Sequence, residues 1–198
     1  MQNEILTTIQ EEYSKVENAS YLMSLICEGK HSYSDINSVF SMNVKNSDLS
    51  YLLNTLINMG LIQKTYSIND IKEKHAYYSL KDNMMSFYFT FIYPNLGFLN
   101  VMSVKSFYEL KIKEKLFNNY IPHKFEDICK EYLLKRNLND DFNTPLEKIG
   151  SFSYNDRKNK INGQFDVVTL SNNNLTFYEC KYTNSLINTT IKDSLLKN

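Results

Sequence analysis

Asp166, Glu179 and Lys181 stand where a strand hairpin would be expected to avoid charge. In GQFDVVTLSNNNLTFYECKYT, residues 163–183, two apolar runs flank the polar gap SNNN at 171–174. Reading that gap as a tight turn sets Leu170 against Leu175. Asp166 then faces Glu179, and Gln164 faces Lys181. Side chains alternate along a strand, so this register puts all four on one face. Directly opposed Cβ atoms lie about 4.5–5.5 Å apart, and two carboxylates so placed repel. A hard divalent cation, Mg²⁺ or Mn²⁺, would offset that repulsion, because it takes carboxylate oxygens and keeps several waters. Such a cation lowers the pKa of bound water and stabilises charge on a phosphoryl oxygen. Lys181 beside it would orient the water or balance developing charge. Metal-assisted phosphodiester hydrolysis is the chemistry these groups would support. The plainer reading is an exposed hairpin face with an ordinary cross-strand ion pair.

The elements that must position these groups lie upstream. PHKFEDICKEYLLKR, residues 122–136, reads as a helix opened by Pro122, with Phe125, Ile128, Cys129, Tyr132 and Leu133 forming an apolar stripe. Glu126 sits at the border of that stripe and is a candidate further metal ligand. Its simpler reading is an acid favoured near a helix N-terminus. LEKIGSFSY, residues 146–154, reads as a strand, and NDRKNKING as a polar turn. Arg157, Lys158 and Lys160 in that turn, with Lys148 nearby, are candidate nucleic-acid contacts. A last helix is expected from about Ser185.

The first 80 residues read as a separate unit. YLMSLICEGK predicts a helix ended by Gly29. Ser32, with Asp35 three residues on, predicts a capped second helix. Asn46 or Ser47 would cap a third, with Leu49, Leu52, Leu53, Leu56 and Ile57 on one face and Gly60 at its end. LIQKTY and HAYYSL then read as two short strands around a polar loop. Three helices and such a pair make a winged helix-turn-helix. Its function would be DNA binding or protein docking. Against DNA, the recognition helix has only Lys45 near its start. MMSFYFTFIYPNLGFL, residues 84–99, reads as aromatic core or interface rather than a ligand cage. KSFYELKIKEKLFN reads as a connecting helix with a solvated charged face.

Composition narrows the classes. The chain has 198 residues, 42% hydrophobic and 22% charged, which suits one or two globular domains. No apolar run nears the roughly 20 residues of a membrane span, and no signal peptide is visible. Cys27, Cys129 and Cys180 are odd in number and widely spaced, which fits reduced thiols and a cytoplasmic location. There is no CxxC, and the three histidines are scattered, which argues against structural zinc. The net charge of zero divides into −3 for residues 1–80 and +3 for the remainder. Neither part has the strongly basic character of a tight nucleic-acid binder.

Asp166, followed by Glu179-Cys180-Lys181 on the next strand, resembles the acidic-x-Lys signature of the restriction-endonuclease-like PD-(D/E)xK nuclease fold. The order of SFYFTFIYP, KFEDICKEYL, IGSFSYNDRKNKINGQFDVV and FYECKYT also resembles DUF234, the C-terminal region of a family of archaeal and bacterial AAA-type ATPases. The resemblance runs from about residue 12 to the end of the chain. It implies an α+β protein: a winged helix-turn-helix over 1–82, an aromatic-rich helical connector over 83–118, and a nuclease-like domain over 119–198 with a small mixed sheet. It implies Asp166 and Glu179 as metal ligands, Lys181 as the catalytic lysine and Glu126 as an auxiliary ligand. The cofactor would be Mg²⁺ or Mn²⁺, and the partners DNA and an AAA-type ATPase domain in cis or in trans. The alternative is a non-catalytic DNA- or protein-binding module of that ATPase. Two departures stand out. Gln164 occupies a position where such proteins commonly carry an acid, and the strand that normally follows the last helix is missing from the sequence, which would leave the sheet incomplete.

Overall fold

The structure, a computed structural model, describes Thr7 and residues 16–44, 48–156 and 161–183. The chain divides into two compact units, Met1–Tyr66 with Glu73–Ile112, and Ser67–Lys72 with Lys113–Asn198. Both helices and small antiparallel sheets are present. Among the described residues, no helix is long and apolar enough to cross a membrane.

In the first unit, helices α1 (Val16–Cys27), α2 (Tyr33–Asn43) and α3 (Leu49–Asn58) precede strands β1 (Ile62–Thr65) and β2 (Tyr77–Leu80) and helix α4 (Asn83–Phe87). Local chemistry sets the helix ends. Gly29 adopts φ +97°, and the N–H groups of Gly29 and Lys30 return to Ile26 O and Leu25 O at 3.1 Å each. Gly60, at φ +74°, repeats the device with Ile57 O and Leu56 O. Both are Schellman stops, and the left-handed conformation suits glycine. Ser32 Oγ accepts from the Asp35 N–H at 3.1 Å and donates to Asp35 Oδ2 at 2.6 Å. The cap of α3 is Asp48, which accepts from the Tyr51 N–H at 3.1 Å, in place of the expected Asn46 or Ser47. A carboxylate there also complements the positive end of the helix dipole.

The apolar spacing of these helices builds one core. Leu22, Met23 and Ile26 of α1, Ile36 and Phe40 of α2, and Leu52, Leu53 and Leu56 of α3 are each at most 2% exposed. Each such side chain contributes about 1.5–3 kcal/mol when fully buried. Ile62 of β1 pairs with Leu80 of β2 and closes this cluster. The Tyr78 N–H donates to His31 O at 2.8 Å, which ties the strand pair to the residue before the α2 cap. In the aromatic segment, Tyr88, Phe89 and Phe91 lie at 0–1% exposure within a π-helical turn, Tyr88–Ile92. Their density is therefore core packing.

Helix does not begin at Pro122. Residues 104–138 are helical throughout, with α-helical Val104–Phe107 and Lys113–Lys115 alternating with π-helical Tyr108–Ile112 and Leu116–Tyr120, ahead of helix α5 (Ile121–Leu138). The Ile121 N–H reaches back to Leu116 O across the wider π turn. Pro122 follows directly, lacks an N–H, and needs room at the preceding turn. The π turn supplies that room, so proline sits inside the run without ending it.

The second unit joins α5 to a three-stranded antiparallel sheet, β3 (Lys148–Asp156), β4 (Ile161–Ser171) and β5 (Asn174–Tyr178), in the order β3-β4-β5. Among the described residues, one ridge of α5 is covered. Leu133 is buried and Phe125 and Cys129 are half-buried, whereas Ile128 and Tyr132 are 57% and 58% exposed. The expected five-residue stripe is thus narrower than its periodicity implied. Asn137 clamps the return to the sheet, donating to Leu146 O at 3.0 Å and accepting from the Leu146 N–H at 2.7 Å. Residues 67–72 line the outer edge of β3. The Ile68 N–H donates to Ser151 O at 2.8 Å, and the Asn69 amide bonds both Ser153 O and the Ser153 N–H. These bonds satisfy an edge that would otherwise present free backbone groups. Gly150 leaves room for this loop, since a Cβ there would lie 2.9 Å from Ile68 Cγ2.

Candidate functional site

The β4–β5 turn sets the register of the site. Asn172 and Asn173 adopt φ +47° and +61°, the pair of positive angles that a two-residue type I′ hairpin requires. Asn tolerates this region better than most residues. Glu147 Oε1 accepts the Asn172 N–H at 2.8 Å and holds the turn. Ser171 pairs with Asn174, Leu170 with Leu175 and Val167 with Tyr178. Continued one step, that register sets Asp166 beside Glu179, which follows directly after β5.

A β-bulge then redirects β4. Between Gly150 and Phe152 of β3 the chain takes two steps, whereas between their partners Val168 and Phe165 it takes three. The extra residue falls at Asp166–Val167. A bulge breaks the simple alternation and re-aims side chains, which is why bulges are common beside functional sites. Val167 and Val168 are both fully buried, Asp166 is half-buried, and the rings of Phe152, Phe165 and Phe177 pack on one another at 4.8–5.5 Å.

Glu126, Gln164, Asp166, Tyr178, Glu179, Cys180 and Lys181 line one pocket of the second unit. Glu126 reaches it from α5, Gln164 and Asp166 from β4, and Glu179, Cys180 and Lys181 from the segment after β5, so the acidic-x-Lys residues lie just past the strand on which they were expected. Gln164 Nε2 donates to Asp166 Oδ1 at 3.0 Å, and Lys181 forms an ion pair with Glu179. Burial raises the Glu126 carboxyl pKa above its ordinary value, and the negative Asp166 adds to the shift. His123, with Nδ1 3.4 Å from Glu126 Oε2, opposes it. The hydrogen bond to Glu179 raises the Lys181 ammonium pKa, so Lys181 is cationic at neutral pH. Burial, with a hydrogen bond to Cys129, pushes the Cys180 thiol up to about 12.

Glu126 is the sixth residue of α5, and the helical run continues on its N-terminal side. The helix-dipole explanation of this acid therefore fails. Lys148 is not among the pocket residues. It pairs with Leu170 near the turn, about 13 Å along β4 from Asp166 at the usual rise per residue. Lys45, Arg157, Lys158, Lys160 and the helix expected from Ser185 lie outside the described residues. Sequence reasoning missed His123 and Tyr178. The i,i+3 spacing of His123 and Glu126 was a usable signal; Tyr178 carried none.

The donors suit a hard cation in chemical type: three carboxylates and an amide oxygen on one pocket wall. Their arrangement is less complete. Among the described residues, no group of three or more His, Cys, Asp or Glu side chains is placed to hold a metal ion. Mg²⁺ needs only one or two carboxylates when waters and substrate oxygens complete its shell. Asp166 and Glu179 are two carboxylates lining that pocket.

The family model described as archaeal and bacterial proteins of unknown function, DUF234, matches residues 88–193, more than half of the chain, and the chain belongs to that family. An uncharacterized protein of Methanocaldococcus jannaschii is 25% identical over 174 residues. That match covers 86% of this chain and 37% of the relative, so the chain spans little more than a third of the relative's length. No solved structure matches.

Proposed function

We propose that this DUF234 protein is a Mg²⁺-dependent nuclease module whose pocket cleaves phosphodiesters. One observation carries the reading: Glu126 of helix α5, Asp166 of strand β4, and Glu179 and Lys181 of the segment directly after β5 line a single pocket. The restriction-endonuclease-like fold is the frame in which that set makes chemical sense. A bound Mg²⁺ would supply an acidified water and offset charge on the phosphoryl group. Asp166 and Glu179 would hold the cation, with Gln164 orienting the Asp166 carboxylate through its amide. Glu126 would bind a water of the cation's shell or the cation itself. Lys181 would leave Glu179 for the scissile phosphate and balance charge in the transition state.

The first unit supports a winged-helix reading, with three capped helices followed by an antiparallel strand pair. Helix α3 carries no Lys or Arg. We therefore assign this unit to docking, with an AAA-type ATPase domain as its partner. Backbone contacts with DNA would fall to the second unit.

The second reading is a binding module without catalysis. Gln164 in place of an acid and the resting Lys181–Glu179 pair favour it. Plasmid cleavage in Mg²⁺ or Mn²⁺ decides between them. The nuclease reading expects nicking that EDTA, Asp166→Ala and Lys181→Ala each abolish. Nicking that survives both substitutions, or no nicking while the protein still binds DNA, leaves the binding module.

A further inference from the structure

Glu126 shares its helix face with two basic side chains. On α5, His123 stands three residues before it and Lys130 four residues after, the spacings at which helical side chains are neighbours. His123 closes one flank, with Nδ1 3.4 Å from Glu126 Oε2. Lys130 occupies the other flank and lies outside the pocket lining. Its charge is only partly answered there. Asp127 receives both Lys130 Nζ at 3.5 Å and Lys124 Nζ at 3.9 Å, so one carboxylate serves two ammonium groups and the trio keeps one net positive charge. The Asp127 side chain is 57% exposed, and an ion pair so placed contributes little, so Lys130 can exchange its partner. Lys181, the basic residue of the pocket itself, is paired with Glu179.

We infer that Lys130 is a phosphate-binding residue, which holds a DNA backbone phosphate next to the one the pocket takes. The rise from Glu126 to Lys130 is about 6 Å along the helix axis. A DNA strand carries a phosphate about every 3.4 Å of its own axis. A strand with one phosphate among Asp166, Glu179 and Lys181 therefore has another within reach of the Lys130 side chain. An ammonium on a flexible stem suits this role, since it meets phosphate as a point charge from several directions. On binding, phosphate oxygens replace Asp127 as the partner of Lys130, and Asp127 keeps Lys124. The assignment rests on the nuclease reading for the phosphate in the pocket, and it extends the substrate from a single phosphodiester to a chain of them.

The test measures binding of a short fluorescein-labelled DNA duplex to the full chain by anisotropy across a salt series, with Ca²⁺ at a low fixed concentration in place of Mg²⁺. The slope of log affinity against log salt should be shallower by about 0.9 for Lys130→Ala, the value for one lost phosphate contact. Asp127→Asn frees Lys130 from its acid and should tighten binding by about threefold, an effect that misfolding would not give. Lys135→Ala is the control. Lys135 lies nine residues from Glu126, on the opposite side of α5, and its variant should keep the wild-type slope. A wild-type slope for Lys130→Ala, an equal loss for Lys135→Ala, or no tightening by Asp127→Asn overturns the proposal, as does a full chain that binds no DNA. Plasmid nicking in Mg²⁺ is scored in parallel. The expected slopes without nicking defeat the nuclease reading alone, and nicking with an unchanged Lys130→Ala slope defeats the phosphate contact alone.

Discussion

The two units spend their sequence differently. In the first, apolar side chains from three helices and a strand pair are removed almost completely from solvent. In the second, Leu133, Val167 and Val168 are the buried apolar side chains among the described residues. Its half-buried positions include Glu126, Asp166 and Cys180. A packed core tolerates no charge because nothing compensates it. A pocket can hold several charges when partners, water or a ligand answer them. Buried apolar side chains are therefore concentrated in the first unit and half-buried titratable groups in the second.

The sharpest break of that contrast is Leu53→Asp. Leu53 is 2% exposed at the centre of the helical core, and burying a carboxylate there should cost more than about 4 kcal/mol. Circular dichroism should show a first unit that no longer folds; a native-like spectrum contradicts the core assignment. Lys181→Ala should do the reverse. Its ammonium is half exposed, so the loss of its ion pair should cost at most about 1 kcal/mol. On the proposed nuclease reading, removing one charge-stabilising group should lower cleavage by about 10²–10³-fold. Equal losses of stability and activity would show that Lys181 is structural.

Smaller substitutions sharpen the comparison. Ser32→Ala removes the side-chain cap of α2 and should lower stability by about 1 kcal/mol, read by urea unfolding, while leaving cleavage unchanged. The smallest effect is a pH dependence at Glu126, whose side chain is 20% exposed. Its folded-state pKa is raised, so the unfavourable burial of its charge is fully present above that value. The destabilisation fades as pH falls and is gone below the unfolded value. Glu126→Gln should therefore raise the melting temperature at pH 7 and make little difference at pH 4. A variant less stable at pH 7 would show that the carboxylate is held by favourable partners.

Local chemistry was legible from residues alone. Gly29, Gly60 and Ser32 announced their helix ends because these conformations depend on one or two side chains and nearby backbone. Asn172 and Asn173 announced a hairpin, and the turn then set the register that carries Asp166 toward Glu179. Periodicity misled at α5, where Ile128 and Tyr132 fit an apolar stripe that nothing among the described residues covers.

By itself, then, the sequence determined the capped helices, the two hairpins and the acidic strand ends, because each is set by contacts within a few residues. Only the tertiary structure decided that Glu126, some 53–55 residues upstream, arrives at Glu179–Lys181, that β4 bulges at Asp166, and that residues 67–72 cover the edge of β3. Those outcomes depend on how one surface packs against another, and no local propensity encodes the partner a surface will meet.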